Sequence, residues 1–269
     1  MRRFINRRPG RQVGLLLAAL PFLLLTAVYL AASGARLEVN PKDKLLPAPS
    51  SFVEAMAEMA FEEDKRSGQV LFWADTGASL RRLGLGIAVA TLFGLTIGLS
   101  IGLFPYVTST LDPFVAVVSM IPPLAVLPIL FITFGLGELS KVVLIIVGIT
   151  PFLIRDVAFR VRELPEELLV KAQTLGASSW QILLRVAGPM IFPRLIGALR
   201  LSLGPAWLFL IAAEAIAATE GLGYRIFLVR RFLAMDVILP YVVWITLLAF
   251  LMDWALAKLS RRLFPWAES

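Results

Sequence analysis

Long apolar runs alternate with short polar breaks along this chain, and the runs are of membrane length. Six are predicted as spans, at residues 13–32, 83–104, 111–132, 139–159, 191–213 and 236–258. Each approaches the roughly 20 residues that an α-helix needs to cross a bilayer. With backbone groups satisfied inside each segment, helices are the form such runs take in lipid. Basic residues fix the orientation. Arg2, Arg3, Arg7, Arg8 and Arg11 precede the first run, Arg155, Arg160 and Arg162 close the fourth, and Lys258, Arg261 and Arg262 close the sixth. Both termini are therefore expected in the cytoplasm.

Within that frame the runs differ. Ser33-Gly34-Ala35 resembles a small-residue cleavage site, but the preceding apolar stretch is longer than a signal-peptide core, which favours a retained helix. Residues 33–79 form an external segment. Its first part is extended by Pro41, Pro47 and Pro49, and residues 50–61 form an amphipathic helix capped by Ser50 or Ser51. In the second run Gly86, Ala90, Gly94, Gly98 and Gly102 recur every fourth residue, a stripe that lets a neighbouring helix approach closely. Residues 105–110 read as a short inner turn. The third run carries Pro113, Pro122, Pro123 and Pro128, which cannot all sit in one regular helix. Broken backbone at membrane depth survives only inside protein or beside a water-filled cavity. Ser119, Met120, Pro122 and Pro123 are thus the first candidates for lining a translocation pathway. Arg200, Trp207 and Glu214 in and after the fifth run are further candidates, and a helix-tying role explains Arg200 equally well. Arg81 and Arg82 stand at an outer end, against the positive-inside trend.

Residues 163–193 are too polar for hydrocarbon. Pro165, Glu166 and Glu167 suit the first turn of a helix. Leu168, Leu169, Ala172 and Leu175 then share one face. Gly176 ends that helix, and Ser178 or Ser179 caps the next, whose apolar face is Trp180, Leu183 and Leu184. Pro189 and Pro193 close the segment before the fifth span. The product is a partly apolar knob on the inner side, suited to a soluble partner.

Composition narrows the chemistry. The chain of 269 residues is 58% hydrophobic and 17% charged, with mean hydropathy +0.82. Its net charge of +7 is explained by anchoring at membrane surfaces rather than by nucleic acid. There is no cysteine and no histidine, so disulfides, thiolates and the commonest proton relay are excluded. Neither paired carboxylates nor a metal-ligand cluster occurs at membrane depth, which argues against an enzyme. No Gly-Lys-Ser/Thr phosphate-binding sequence occurs either, so the chain does not hydrolyse ATP itself.

The knob carries a resemblance. Ala172, Gly176, Ile182 and Pro189-x-x-x-Pro193 are similar to the "EAA" loop of ABC importer permeases, with Val170 where that family usually has Glu; Glu166 and Glu167 lie one turn earlier. Ile121 to Pro128, Phe134 to Gly137, Arg200 through Trp207, and Ala213-Glu214 through Tyr224 follow in the order of the nitrate/sulfonate/taurine/bicarbonate branch. The resemblance implies an all-α integral membrane protein with about six transmembrane helices and the type I ABC importer permease fold. It implies three regions: residues 1–78 with the first span and external segment, a core permease domain at 79–262, and a tail at 263–269. Glu166, Glu167, Ala172, Leu175, Gly176, Ala177, Ser178, Trp180, Ile182 and Pro189 would form the ATPase-coupling loop. The implied partners are two ABC ATPase subunits, a periplasmic or lipid-anchored solute-binding protein and a second permease subunit, a homodimer in preference to a heterodimer. No cofactor is expected on this chain, ATP and Mg belonging to the ATPase, in a bacterial inner membrane. The implied solute is a small organic or inorganic anion. An ion-coupled secondary transporter is the alternative, for which Glu214 and Asp253 are the acidic candidates near the spans.

Overall fold

A computed structural model describes residues 9–41, 43–64 and 68–268. Arg2, Arg3, Arg7 and Arg8 lie outside the described residues. Those described are helical almost throughout: α1 (Arg11–Val39), α2 (Pro49–Phe61), α3 (Leu71–Leu103), α4 (Pro105–Val118), α5 (Pro123–Phe134), α6 (Glu138–Arg162), α7 (Glu166–Thr174), α8 (Ser179–Gln181), α9 (Gly188–Ala217), α10 (Leu222–Val229) and α11 (Met235–Leu263). Five helical runs are long and apolar enough to cross a membrane, and the bent pair α4–α5 makes a sixth.

Two compact units are present. The first holds the chain up to Glu58 together with Val229–Pro240. Its long helix α1 leaves Phe22 and Leu25 about three-quarters exposed, the state a bilayer favours. Ser33 is the exception at 2% exposed: its hydroxyl faces the carbonyls of Leu46 and Pro47 at 2.9 and 3.1 Å. Tyr29 donates to Pro47 O at 2.7 Å, so the proline-rich segment folds back along α1. The helix runs through Ser33-Gly34-Ala35 to Val39, longer than the span 13–32. Ser50 and Ser51 fall inside the first turn of α2, which Pro49 opens.

The second unit, Met59–Leu228 with Tyr241–Ser269, is built on α3 and α6. The small-residue stripe is the reason. A methyl added at Gly86, Gly94, Gly98 or Gly102 would come within 2.4–2.7 Å of Ile145, Leu153, Val157 or Val161, so α6 seats its branched side chains in a channel that only glycine leaves open. Gly148 on the other side of α6 accepts the ring of Phe209 from α9 in the same way. Ile101, Val115, Ile154 and Ala158 close the core between α3, α4 and α6.

Three boundaries differ from the sequence reading. Residues 105–110 are not a turn but the first turns of α4, because Pro105 occupies a position where no amide is required. Helix α3 starts at Leu71, shortening the external segment. Pro189 and Pro193 do not end a segment: Ser179–Ala217 is one run of 39 residues. Ile182–Ala187 widens to π geometry, with the Gly188 amide bonding back to Leu183 O. That turn shifts the bonding pattern where Pro189 supplies no donor.

Candidate functional site

At the inner end, α7 is stopped by a two-bond left-handed cap. Gly176, at φ +79°, donates to Gln173 O at 2.9 Å, and Ala177 donates to Ala172 O at 3.0 Å. The next helix is capped by Ser178 rather than Ser179: its hydroxyl accepts from Gln181 N at 3.3 Å while its amide donates to the Gln181 carboxamide at 2.8 Å. Backbone bonds thus fix the elbow between two helices. What it presents is apolar: Leu175 is 82% and Trp180 65% exposed, with Leu168, Val170 and Leu184 also exposed. Glu166 and Glu167 are exposed in the first turn of α7, Ala172 and Ala177 are half-buried, Ile182 is buried, and Pro189 is half-buried where α9 begins.

At the bend between α4 and α5, the axes turn by 93°. Ser119 terminates α4, and Pro123 opens α5 after Pro122. A cavity of about 540 Å³ lies between this bend and α6, lined in part by Ser119, Pro123, Pro151 and Arg155. Met120 and Pro122 are exposed beside it but do not line it. Nor do Arg200, Trp207 or Glu214. Arg200 makes a two-pronged bond to Asp253 on α11 at 2.7 and 2.9 Å. Trp207 is buried at 3% exposed, and its indole nitrogen has no hydrogen-bond partner among the described residues.

Glu214 belongs to a buried polar cluster at the opposite end of the second unit. Its carboxylate, fully buried, accepts from Arg82 Nη1 at 2.8 Å, Ser79 Oγ at 2.8 Å and Gly223 N at 2.9 Å. Arg82, 1% exposed, also donates to Glu138 at 2.6 and 2.8 Å and to Glu220 O at 2.8 Å. One turn toward the start of α3, buried Asp75 accepts from Gly221 N at 2.8 Å, Arg225 Nε at 2.7 Å and the Tyr241 hydroxyl at 3.3 Å. Burial works to lower the Arg225 pKa, but the bond to Asp75 and the charge interactions with Asp75, Tyr241 and Tyr224 together raise it above its ordinary value. The glycines are demanded by this packing. Gly221 sits at φ +127° with the Glu214 carboxylate 2.5 Å from where a Cβ would be, and a Cβ on Gly223 would lie 2.8 Å from Ile211 O. Arg81 and Arg82, unexplained by the charge rule, are thus pairing residues: Arg81 lies 3.7 Å from Glu138.

Sequence reasoning did not single out Asp75, Ser79 or Arg155. Asp75 and Ser79 fell in or beside the supposed external segment. Their spacing with Arg82 on a helix was the available signal. Arg155 stood among Arg160 and Arg162 and read as one more topogenic charge.

Glycine-seated apolar helices of membrane length, a proline-broken span over a cavity and an apolar elbow fixed by backbone caps define a polytopic helical membrane subunit. A family model described as "Binding-protein-dependent transport system inner membrane component" matches residues 90–265, and the chain belongs to that family. It is 38% identical over 221 residues to the taurine transport system permease protein TauC of Escherichia coli, covering 82% of this chain and 80% of that one. It is 28% identical to the putative aliphatic sulfonates transport permease protein SsuC of Bacillus subtilis, covering 98% and 93%. It is 32% identical to the bicarbonate transport system permease protein CmpB of Synechococcus elongatus, covering 71% and 69%. Its fold matches a chain of the MetNI methionine ABC transporter in an inward-facing form, with TM-score 0.64 and 21% identity, over 74% of this chain and 99% of that one. The protein is therefore a multi-pass inner-membrane permease subunit of an ABC importer, with the type I permease fold and no catalytic role of its own.

Proposed function

We propose that two copies of this chain form the bilayer pathway for a small organic or inorganic anion, delivered from outside by a solute-binding protein. Two ABC ATPase subunits beneath them bind ATP and Mg and supply the energy. The observation that carries the reading is the elbow at Gly176: apolar side chains held outward, on a loop between membrane spans, by caps that leave the backbone little freedom. Exposed apolar surface of that kind marks a docking site. Glu166 and Glu167 would meet the ATPase beside Leu168, Val170, Leu175 and Trp180. Ser119 and Pro123 would line the pathway with Met120 and Pro122 at its margin, while Arg200, Trp207 and Glu214 hold the bundle together. The anion reading is supported by relatives named for taurine, aliphatic sulfonates and bicarbonate.

ATP-driven closure of the ATPase pair draws the two elbows together, and the spans attached to them change the access of the cavity. Coupling requires that nucleotide and solute favour different states. Because the chain contains no cysteine, single cysteines at positions 172–180 give a clean test. They should cross-link to the ATPase in membranes, and ATP should drive anion uptake in proteoliposomes holding all components. Uptake that survives ATP depletion but collapses with an ionophore would overturn the reading.

A further inference from the structure

Resting on the transport reading above, we infer that Arg155 is the anion-anchoring residue of the pathway, holding the head group of a short-chain aliphatic sulfonate in the cavity at the α4–α5 bend.

Arg155 lies seven residues before the end of α6, about 10 Å along the helix, in the last part of the span predicted at 139–159. Every other arginine of that helix end has a carboxylate. Arg160 pairs with Asp156 at 3.7 Å and Glu163 at 3.1 Å, and Arg162 with Asp112 at 2.9 Å. Arg194, beside them on α9, pairs with Glu163 at 2.9 Å. Arg81, Arg82, Arg200 and Arg225, the other arginines an anion could meet, are paired too. Arg155 faces this cavity with no carboxylate within 4.0 Å of it among the described residues. Its recorded partner is neutral: Nη1 donates to Ser119 Oγ at 2.9 Å. Ser119 is itself oriented, since its hydroxyl donates to Ala116 O at 2.7 Å and so turns a lone pair to the guanidinium.

A guanidinium has five donors in a planar fork. One is used on Ser119, and the rest suit two neighbouring oxygens, as a carboxylate or one edge of a tetrahedral sulfonate presents. A cation near the end of a span with no carboxylate partner is a candidate for an ion path. An anion in the cavity supplies the missing partner. The remaining wall is mainly apolar, with Val118, Ile121, Val126, Phe152 and Phe159 contributing. Such a wall takes a short aliphatic tail and gives nothing in exchange for the hydration shell of an inorganic anion. The lining offers one guanidinium, and Asp156 beside it is held to Arg160, so a second negative charge would find no partner and the fit is to a monoanion.

The test uses the whole transporter, permease with its ATPase and binding protein, in proteoliposomes with saturating binding protein. The probes are radiolabelled ethanesulfonate, taurine and bicarbonate, and the readout is solute imported per ATP hydrolysed. For R155Q we expect at least a tenfold loss with ethanesulfonate, and for R155K a smaller one. S119A, which only frees the guanidinium, should lose a few-fold and carries the test should R155Q fail to co-purify with the ATPase. If wild type imports a sulfonate and R155Q or S119A imports it equally well per ATP, the inference fails while the transport reading stands. Equal loss in R155K and R155Q in complexes that co-purify refutes the charge argument. Import of bicarbonate but neither sulfonate removes the tail argument. Import of none of the three overturns the anion reading and the inference with it.

Discussion

Removing the Arg82 side chain tests whether the buried cluster is held by charge. R82Q leaves the Glu214 carboxylate, fully buried, with only the Ser79 hydroxyl and the Gly223 amide as donors. Breaking one side of a buried ion pair typically costs about 3–5 kcal/mol, because the partner charge stays desolvated. E214Q is milder. Arg82 keeps its two bonds to half-exposed Glu138, and the loss is that of one charged hydrogen bond, about 1.5–3 kcal/mol. The double substitution R82Q/E214Q removes both charges and should cost less than the two singles together, by about 1.5 kcal/mol or more. Converted at roughly 2–4 °C per kcal/mol, R82Q should lower Tm by about 6–20 °C. The assay is thermal unfolding of the purified protein in one detergent at one scan rate, since unfolding of such proteins is a rate as much as an equilibrium. A shift in R82Q of less than about 2 °C, or strict additivity in the double variant, would refute the charge account of this cluster.

The glycine stripe gives a test with two signs. G94A puts a methyl 2.6 Å from Leu153 Cβ and should destabilise by about 1–3 kcal/mol. G84A in the same helix meets nothing within 4 Å and should stabilise by roughly 0.5–1 kcal/mol in the same unfolding assay. G176A forces a side chain to φ +79°, at about 1–2 kcal/mol, and should lower Tm by no more than about 2–8 °C while cutting ATPase co-purification and ATP-driven uptake. In the first unit, Arg36 and the Leu45 amide hold the Asp43 carboxyl below its ordinary range. A carboxyl depressed in the folded state stabilises fully above its unfolded value and loses that contribution as pH falls through the folded one. Protease nicking of the segment at 40–48 should therefore rise below the ordinary carboxylate range in wild type, and D43N should nick at the same higher rate at every pH.

What the sequence made legible were the features written locally. The stripe from Gly86 to Gly102 announces a close helix partner because its period is that of one helix face, and α6 is that partner. Gly176 after a run of helix formers, with Ser178 two residues on, announces the elbow. The proline cluster at 113–128 announces a break, and the structure turns it into a bend of 93°. Long-range pairing was not legible. Arg82 and Glu214 are 132 residues apart, Asp75 and Gly221 146, and no local pattern distinguishes a charge that will be buried from one that faces headgroups. Arg155 shows the converse difficulty. Its neighbours are balanced by Asp112, Asp156 and Glu163, and only the folded arrangement leaves it without a carboxylate. Pro189 misled because a proline in the first turn of a continuing helix costs no more than the bond that the π turn at 182–187 gives up.

The same unbroken run joins the elbow to the buried cluster. Ser179–Ala217 spans roughly 58 Å at 1.5 Å per residue. It begins at the elbow and ends just beyond Glu214. Neither the π turn nor Pro193 nor Pro205 breaks it. If this run moves as a rigid rod, its far end being held by Arg82, Ser79 and Gly223, motion at the elbow loads that cluster. If coupling runs along this rod, the effect is reciprocal, as any linkage between two binding equilibria must be. Loosening the cluster should then change how tightly the permease holds its nucleotide-bound ATPase. E214Q, the milder variant, is the one to use, because its bundle should stay folded. The expected result is a change of at least threefold in the ATP concentration that half-saturates hydrolysis by the reconstituted complex. An unchanged value in a complex whose Tm has fallen as foreseen would mean that the outer cluster is a brace only, and that the motion of the elbow is absorbed before it reaches Glu214, at the π turn or at Pro193.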